Sequence, residues 1–192
     1  MSDDDRDDEA GEPTGVILDF LPHGRTDDDR PQYEKEPVGY VLDHEEFALY
    51  EFIAEDDANV SIADRIDIET AAFITRYSTI EYDDLPGGAK SELEYVIEDL
   101  VDEQEQRFVN IYNDAQPITL RLHQLNLLPG IGKKLRNNIL DERKRKPFES
   151  FEELEERIGG LHNPREVLVE RIIEELREDD LKYRIFARRD EE

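Results

Sequence analysis

Residues Leu127–Phe148 read LLPGIGKKLRNNILDERKRKPF, seven basic side chains against two acidic ones in a chain of 192 residues whose formal net charge is -27. Pro129 cannot continue a helix, and Gly130 and Gly132 permit backbone angles and close approaches that side chains would block. Ile131, between them, is expected to turn inward. A helix beginning at Lys133 would leave its first N–H groups pointing outward, where the positive end of its dipole favours an anion. Lys133, Lys134 and Arg136 stand beside that end. The spacing is not that of a nucleotide-binding P-loop, which needs GxxxxGK[ST].

Working outward, PITLRLHQLN before this stretch is apolar enough for a helix ending at Pro129, so the whole reads as a helix-hairpin-helix signature. Such a hairpin holds a nucleic-acid backbone and reads no bases. Arg143 and Lys144 extend the basic run; they would either add phosphate contacts or complement the negative end of their own helix. A second, degenerate hairpin follows: SFEELEERI, then GGLHNP, then REVLVERIIEEL. Ser150 with Glu153, and Asn163 with Pro164 and Glu166, are good helix starts. Its glutamates would repel phosphate, so it is expected to be the packing partner that completes a four-helix unit over residues 117–178.

Upstream the period changes. GVILDFL (15–21), VGYVLD (38–43), FALYEFIA (47–54), NVSIADRIDI (59–68) and AAFITRYSTI (71–80) are short β-branched and aromatic runs bounded by turn residues. They predict five strands and a small OB-like β-barrel over residues 14–90. From Ser91 the apolar residues Leu93, Ile97, Leu100, Val101, Phe108, Ile111 and Tyr112 recur at helical spacing, which predicts one long linking helix within 91–116. LKYRIFARR alternates as a closing strand within 179–192. Residues 1–13 are expected to be a disordered acidic tail. The fold class is therefore α+β.

Leu, Ile, Val and Phe number 52 of 192, about 27%, above the roughly 20% below which disorder is expected. Carboxylates outnumber basic groups 51 to 24, and only seven of the latter are lysines. That balance suits a cytosol of molar potassium chloride, where carboxylates hold hydration and salt screens their repulsion; an acidic interaction protein from an ordinary cell is the alternative. The charge is also segregated: residues 1–120 carry 8 basic and 34 acidic residues, 121–192 carry 16 and 17. Without cysteine, disulfides and thiolate metal sites are excluded. His44 with Glu45 and Glu46 reads as a solvated turn, and the carboxylate runs at Asp27–Asp29 and Asp83–Asp84 single out no catalytic pair. No metal, no cofactor and no membrane span are expected, and a cytoplasmic location is.

Residues 14–186 as a whole resemble an uncharacterised archaeal family, through VILDFLPHGRTDDDRPQY, SELEYVIEDLVDEQEQRFVNIYNDAQPITLRLHQLNLLPGIGKK and KYRIFA. The resemblance implies an OB-like barrel joined to a C-terminal tandem helix-hairpin-helix, a label of nucleotide or RNA binding, and genes near those for a component of RNA polymerase and an rRNA dimethyladenosine methyltransferase. It also adds Gly24 and Arg25 as a barrel-loop motif. The expected function is thus non-enzymatic nucleic-acid binding, RNA before DNA, related to the ribosome or to transcription. Tyr33, Tyr40, Tyr50 and Phe52 are candidate base platforms. The alternatives are an adaptor of ribosome or RNA polymerase, and a DNA-binding helix-hairpin-helix protein. Oligomeric state is not legible.

Overall fold

Five antiparallel strands, β1 (Gly15–Leu21), β2 (Val38–Asp43), β3 (Ala48–Ala54), β4 (Arg65–Ile66) and β5 (Ile74–Thr79), form a curled half-barrel in the order β4-β1-β2-β3-β5. They belong to a computed structural model that describes residues 12–187 and residue 189. The expected acidic tail therefore lies almost wholly outside the described residues. The run 59–68 contributes only the two-residue β4, because its backbone is spent on turns: Ala63 has φ +70°, and the Ser61 N–H donates to the Asp64 carboxylate at 2.9 Å.

Both faces of the sheet are apolar. Val16, Leu18, Tyr40, Leu42 and Leu49 face the helices, while Ile17, Val41, Phe52 and Ile66 build a second cluster on the other side. A register shift between Ile17 and Asp19 changes the parity of β1, so Phe20 joins the second cluster and stacks on Phe52 with centroids 6.4 Å apart. Gly39 faces both rings across the sheet, and a Cβ there would lie 2.0 Å from the Phe52 ring. Its missing side chain is the slot that Phe52 fills.

The helices are α1 (Gly87–Glu103), α2 (Glu105–Asp114), α3 (Lys133–Arg145), α4 (Phe151–Arg157) and α5 (Pro164–Arg177). The expected single linking helix is two: it starts at Gly87, behind Pro86, and breaks at Gln104 (φ -114°, ψ 44°). Beyond the break, Arg107 donates to the carbonyls of His44 (2.7 Å) and Glu45 (3.1 Å) and lies over the rings of Phe47 and Phe108, which fastens α2 to the β2–β3 turn. Ala89, Leu93, Val96, Ile97, Leu100 and Val101 form the buried stripe of α1.

One apolar cluster runs from the sheet through α1, α2 and α5 to Ile131, Ile139, Phe148 and Leu154. The strands and the C-terminal helices thus bury their faces in a common core. Tyr112 of α2 donates to the Pro164 carbonyl at 2.7 Å, and burial drives its phenol far above its ordinary pKa.

Two further expectations are corrected. The segment before the hairpin is not an α-helix: a bridge between Pro117 and His123 closes a tight loop, followed by a 3-10 turn at Gln124–Leu127. The Thr119 hydroxyl accepts the N–H groups of Arg121 (3.2 Å) and Leu122 (3.0 Å), which competes with helical bonding. Nor is LKYRIFA a closing strand. The N–H groups of Ile185, Phe186 and Ala187 all converge on one carboxylate, Glu175 of α5, so they serve no ladder.

Candidate nucleic-acid interface

The PGIG turn is held from below. Ile131 packs into the core, as expected, and its N–H donates to the Leu128 carbonyl at 3.2 Å. Gly130 has φ +78°, a conformation that disfavours any side chain. Gly132 is the residue before α3, with φ -91° and ψ -167°, and no side chain caps the helix. A Cβ at Gly130 or at Gly132 would meet nothing within 4 Å. The protein itself therefore leaves the space above both glycines open, and at Gly132 neither packing nor backbone angle demands glycine.

Around this uncapped end the chain gathers cations. Lys133 and Lys134 are exposed, and neither makes an ion pair among the described residues. A groove of about 460 Å³ beside the turn is lined by Leu120, Arg121, Leu122, Asn126, Lys133 and Arg136. Arg136 is steadied by Asn126, whose Oδ1 accepts from Nη1 at 3.1 Å, while the Asn126 amide donates to the Ile131 carbonyl at 3.3 Å. Arg121, Asn126 and Leu120 were not foreseen as site residues. Their signal was covered by the helix expected over 117–128, which would have scattered them around a cylinder.

Buried His123 begins the 3-10 turn, its Nδ1 accepting from the Leu125 N–H at 3.1 Å. Burial, and then the charges of Arg143 and Arg136, push its pKa below the usual imidazole range.

The other expected residues are placed elsewhere. Arg143 donates through Nη1 to the Tyr112 (3.1 Å) and Ala115 (2.9 Å) carbonyls, capping the C-terminal end of α2. It lies ten residues along α3 from Lys133, about 15 Å at 1.5 Å per residue. Lys144, next to it, is exposed. Arg145 pairs with Glu142, and Lys146 with Glu149 and Glu153. In the late basic run Arg143 and Lys146 thus join α3 to its neighbours, and Arg145 is paired within the helix.

Gly24, with φ +77°, and Arg25 line a separate groove on the sheet. There Arg25 pairs with Glu51 and donates to the Tyr40 hydroxyl at 3.0 Å, Arg30 pairs with Asp28 at 2.7 Å, and Arg76 with Glu36 at 2.6 Å. Arg30 holds the Asp28 carboxyl down to about 2. Each arginine there has its carboxylate, so this groove offers no uncompensated positive charge. Of the candidate base platforms, Tyr40 and Phe52 are buried in the core, Tyr50 packs edge-on against Tyr77, and Tyr33 is exposed.

Comparison with known proteins finds similarity over nearly the whole chain. The model of a family described as "Protein of unknown function (DUF655)" matches residues 11–188. An uncharacterized protein of Methanocaldococcus jannaschii is 39% identical over 178 residues, 90% of this chain and 78% of the relative. A crystal structure from Archaeoglobus fulgidus, described under the same family model, superposes with a TM-score of 0.82 at 37% identity, covering 92% of this chain and all of that one.

Proposed function

We propose that this chain, which belongs to the DUF655 family, is a non-enzymatic nucleic-acid-binding protein that grips a phosphate backbone, RNA before DNA, at the N-terminal end of α3. In this reading the half-barrel is OB-like, and the PGIG turn with α3, α4 and α5 is a tandem helix-hairpin-helix unit in which only the first hairpin contacts phosphate. A cytoplasmic, ribosome-related or transcription-related role goes with it, as does a salt-rich cytosol.

The observation that carries the reading is the uncapped end of α3. Lys133 and Lys134 begin the uncapped helix behind two glycines with open space around them, and Arg121 and Arg136 line the adjoining groove with Lys133. A backbone phosphate fits that description: it needs N–H donors, positive charge and close approach. Among the described residues no helix is long and apolar enough to cross a membrane, and nothing in the reading calls for a bilayer.

A second reading has its own support. A groove of about 870 Å³ between α4 and α5 is lined by Glu152, Glu155, Glu156 and Glu166 around Phe151 and Pro164, its one cation, Arg165, being paired with Asp102. Such a surface would serve an adaptor that holds a basic protein partner, its hairpin being scaffold only.

Competition between a folded ribosomal RNA fragment and a duplex DNA of equal length, titrated over a series of potassium chloride concentrations, separates the readings. The expected result is saturable RNA binding that Lys133→Ala/Lys134→Ala weakens for every sequence alike, with the log-log salt slope reduced by about 0.7 to 0.9 per lost contact. Absence of binding to either nucleic acid would leave the adaptor reading standing.

A further inference from the structure

The loop 117–123 is built as a rigid support for one apolar side chain. Ile118 and Thr119 both donate to the Leu122 carbonyl, at 2.8 and 3.0 Å, and the Thr119 hydroxyl takes the N–H groups of Arg121 and Leu122. At the base Pro117 bridges to His123, the Gln124 N–H donates to the Gln116 carbonyl at 3.0 Å, and the Gln116 N–H donates to the Gln124 side chain at 2.8 Å. The N–H groups of Ile118, Thr119, Arg121, Leu122 and His123 are thus all engaged locally. At its tip Leu120 is 106% exposed, whereas the other large apolar side chains among the described residues reach 85% at most.

A single exposed leucine needs no explanation by itself. This one lines the cationic groove together with Arg121, Lys133 and Arg136. A strand whose phosphates lie at the α3 end would pass Leu120 with its sugars and bases. Apolar side chains presented in this way to a nucleic acid insert where stacking is interrupted or easily opened. An RNA with an unstacked base offers that position without the cost of opening a step.

We propose that Leu120 is a stacking wedge, and that the preferred ligand is a folded RNA with a bulge or internal loop set next to the phosphates held by the hairpin. The inference rests on the phosphate-binding reading of the same site and adds what that reading lacks, a source of discrimination between ligands. Arg121 neutralises the phosphate beside the unstacked base. At high salt, where counterion release contributes little, the apolar contact retains its strength.

The test uses the full chain and two RNA hairpins of equal length, one with a two-nucleotide bulge carrying 2-aminopurine and one uninterrupted, in concentrated potassium chloride. The wild type is expected to bind the bulged RNA about tenfold more tightly and to change the 2-aminopurine fluorescence, as an apolar wedge beside an unstacked base would. Leu120→Ser should erase the preference, weakening the bulged RNA to the affinity of the uninterrupted hairpin, and Leu120→Met should keep it. Lys133→Ala/Lys134→Ala should weaken both RNAs equally. Equal binding of the two hairpins by wild type and Leu120→Ser overturns the wedge and leaves the phosphate site intact; no binding of either RNA overturns both. Because Leu120 buries nothing, its variants are not expected to fail by unfolding.

Discussion

The Phe186 N–H donates to Glu175 Oε1 at 2.8 Å, and this bond holds the segment around Phe186 against α5. The same oxygen accepts from Ile185 at 2.8 Å and Ala187 at 3.2 Å, while Oε2 accepts from Arg171 Nε at 2.8 Å. Arg171 in turn donates to the Tyr183 carbonyl at 2.8 Å. Both side chains are almost fully buried, so the carboxylate is compensated by one cation and three backbone donors at once. Phe186 then completes an aromatic cluster with Phe47 and Phe108 at centroid distances of 6.0 and 6.3 Å.

Glu175→Gln should therefore be destabilising, by about 3 kcal/mol, the low end for a broken buried pair, because it removes the buried partner of Arg171 and leaves only the partly exposed Glu174 at 3.3 Å. Urea melts in concentrated potassium chloride measure the loss. Hydrogen exchange at Ile185, Phe186 and Ala187 should accelerate first. A loss below about 1 kcal/mol would mean that the segment is held by its aromatic ring and not by the carboxylate.

Gly39→Ala should cost about 1–3 kcal/mol, because its methyl group would overlap the Phe52 ring. Combining it with Phe52→Leu should cost less than the sum of the two single changes, as expected for groups in direct contact. Additive losses would place the cost in the backbone and not in the ring.

The two hairpin glycines should separate stability from binding. Gly130→Ala forces a side chain onto φ +78° and should cost about 1–2 kcal/mol. Gly132→Ser should leave stability unchanged or raise it by a few tenths of a kcal/mol, serine being a good N-cap. Its hydroxyl would then occupy the N–H groups meant for phosphate, and RNA binding should fall about tenfold. Unchanged RNA affinity in Gly132→Ser would rule out the end of α3 as the contact.

His123 should contribute a pH dependence of stability. Its folded pKa lies below the ordinary value near 6.5, so at lower pH the unfolded chain binds a proton that the folded one resists. Stability is expected to be flat above about pH 6.5 and to decline as pH falls from there toward the depressed value. His123→Asn keeps an acceptor for the Leu125 N–H and removes the titration. Melts at pH 7.5, 6.5 and 5.5 should then show a smaller decline for the variant, carboxylate titrations being common to both. An equal decline would place the proton uptake elsewhere.

What the sequence by itself determined are the features that live within one turn or one strand. Three of the strand runs appear nearly in full, the run 71–80 in its later part as β5, and the α1 stripe follows from 3.6-residue spacing. Ile131 turns inward because it is the apolar residue between two glycines. The starts of α4 and α5 at Ser150 and Pro164 are equally local: the Ser150 hydroxyl accepts the Glu153 N–H at 3.0 Å, and Pro164 needs no N–H acceptor.

Only the tertiary structure decided which charges are free. Arg25 and Arg143 have the same composition signal as Lys133 and Arg121, yet the first two are engaged by Glu51 and by the α2 carbonyls, partners 26 and about 30 residues away in sequence. The strand expected at the C-terminus failed for the same reason. LKYRIFA alternates well enough for a ladder, but a buried carboxylate ten residues upstream offers its N–H groups a stronger, charge-assisted acceptor. Local pattern sets what a segment can form, and long-range hydrogen bonds and ion pairs, which no window of sequence contains, select among those forms.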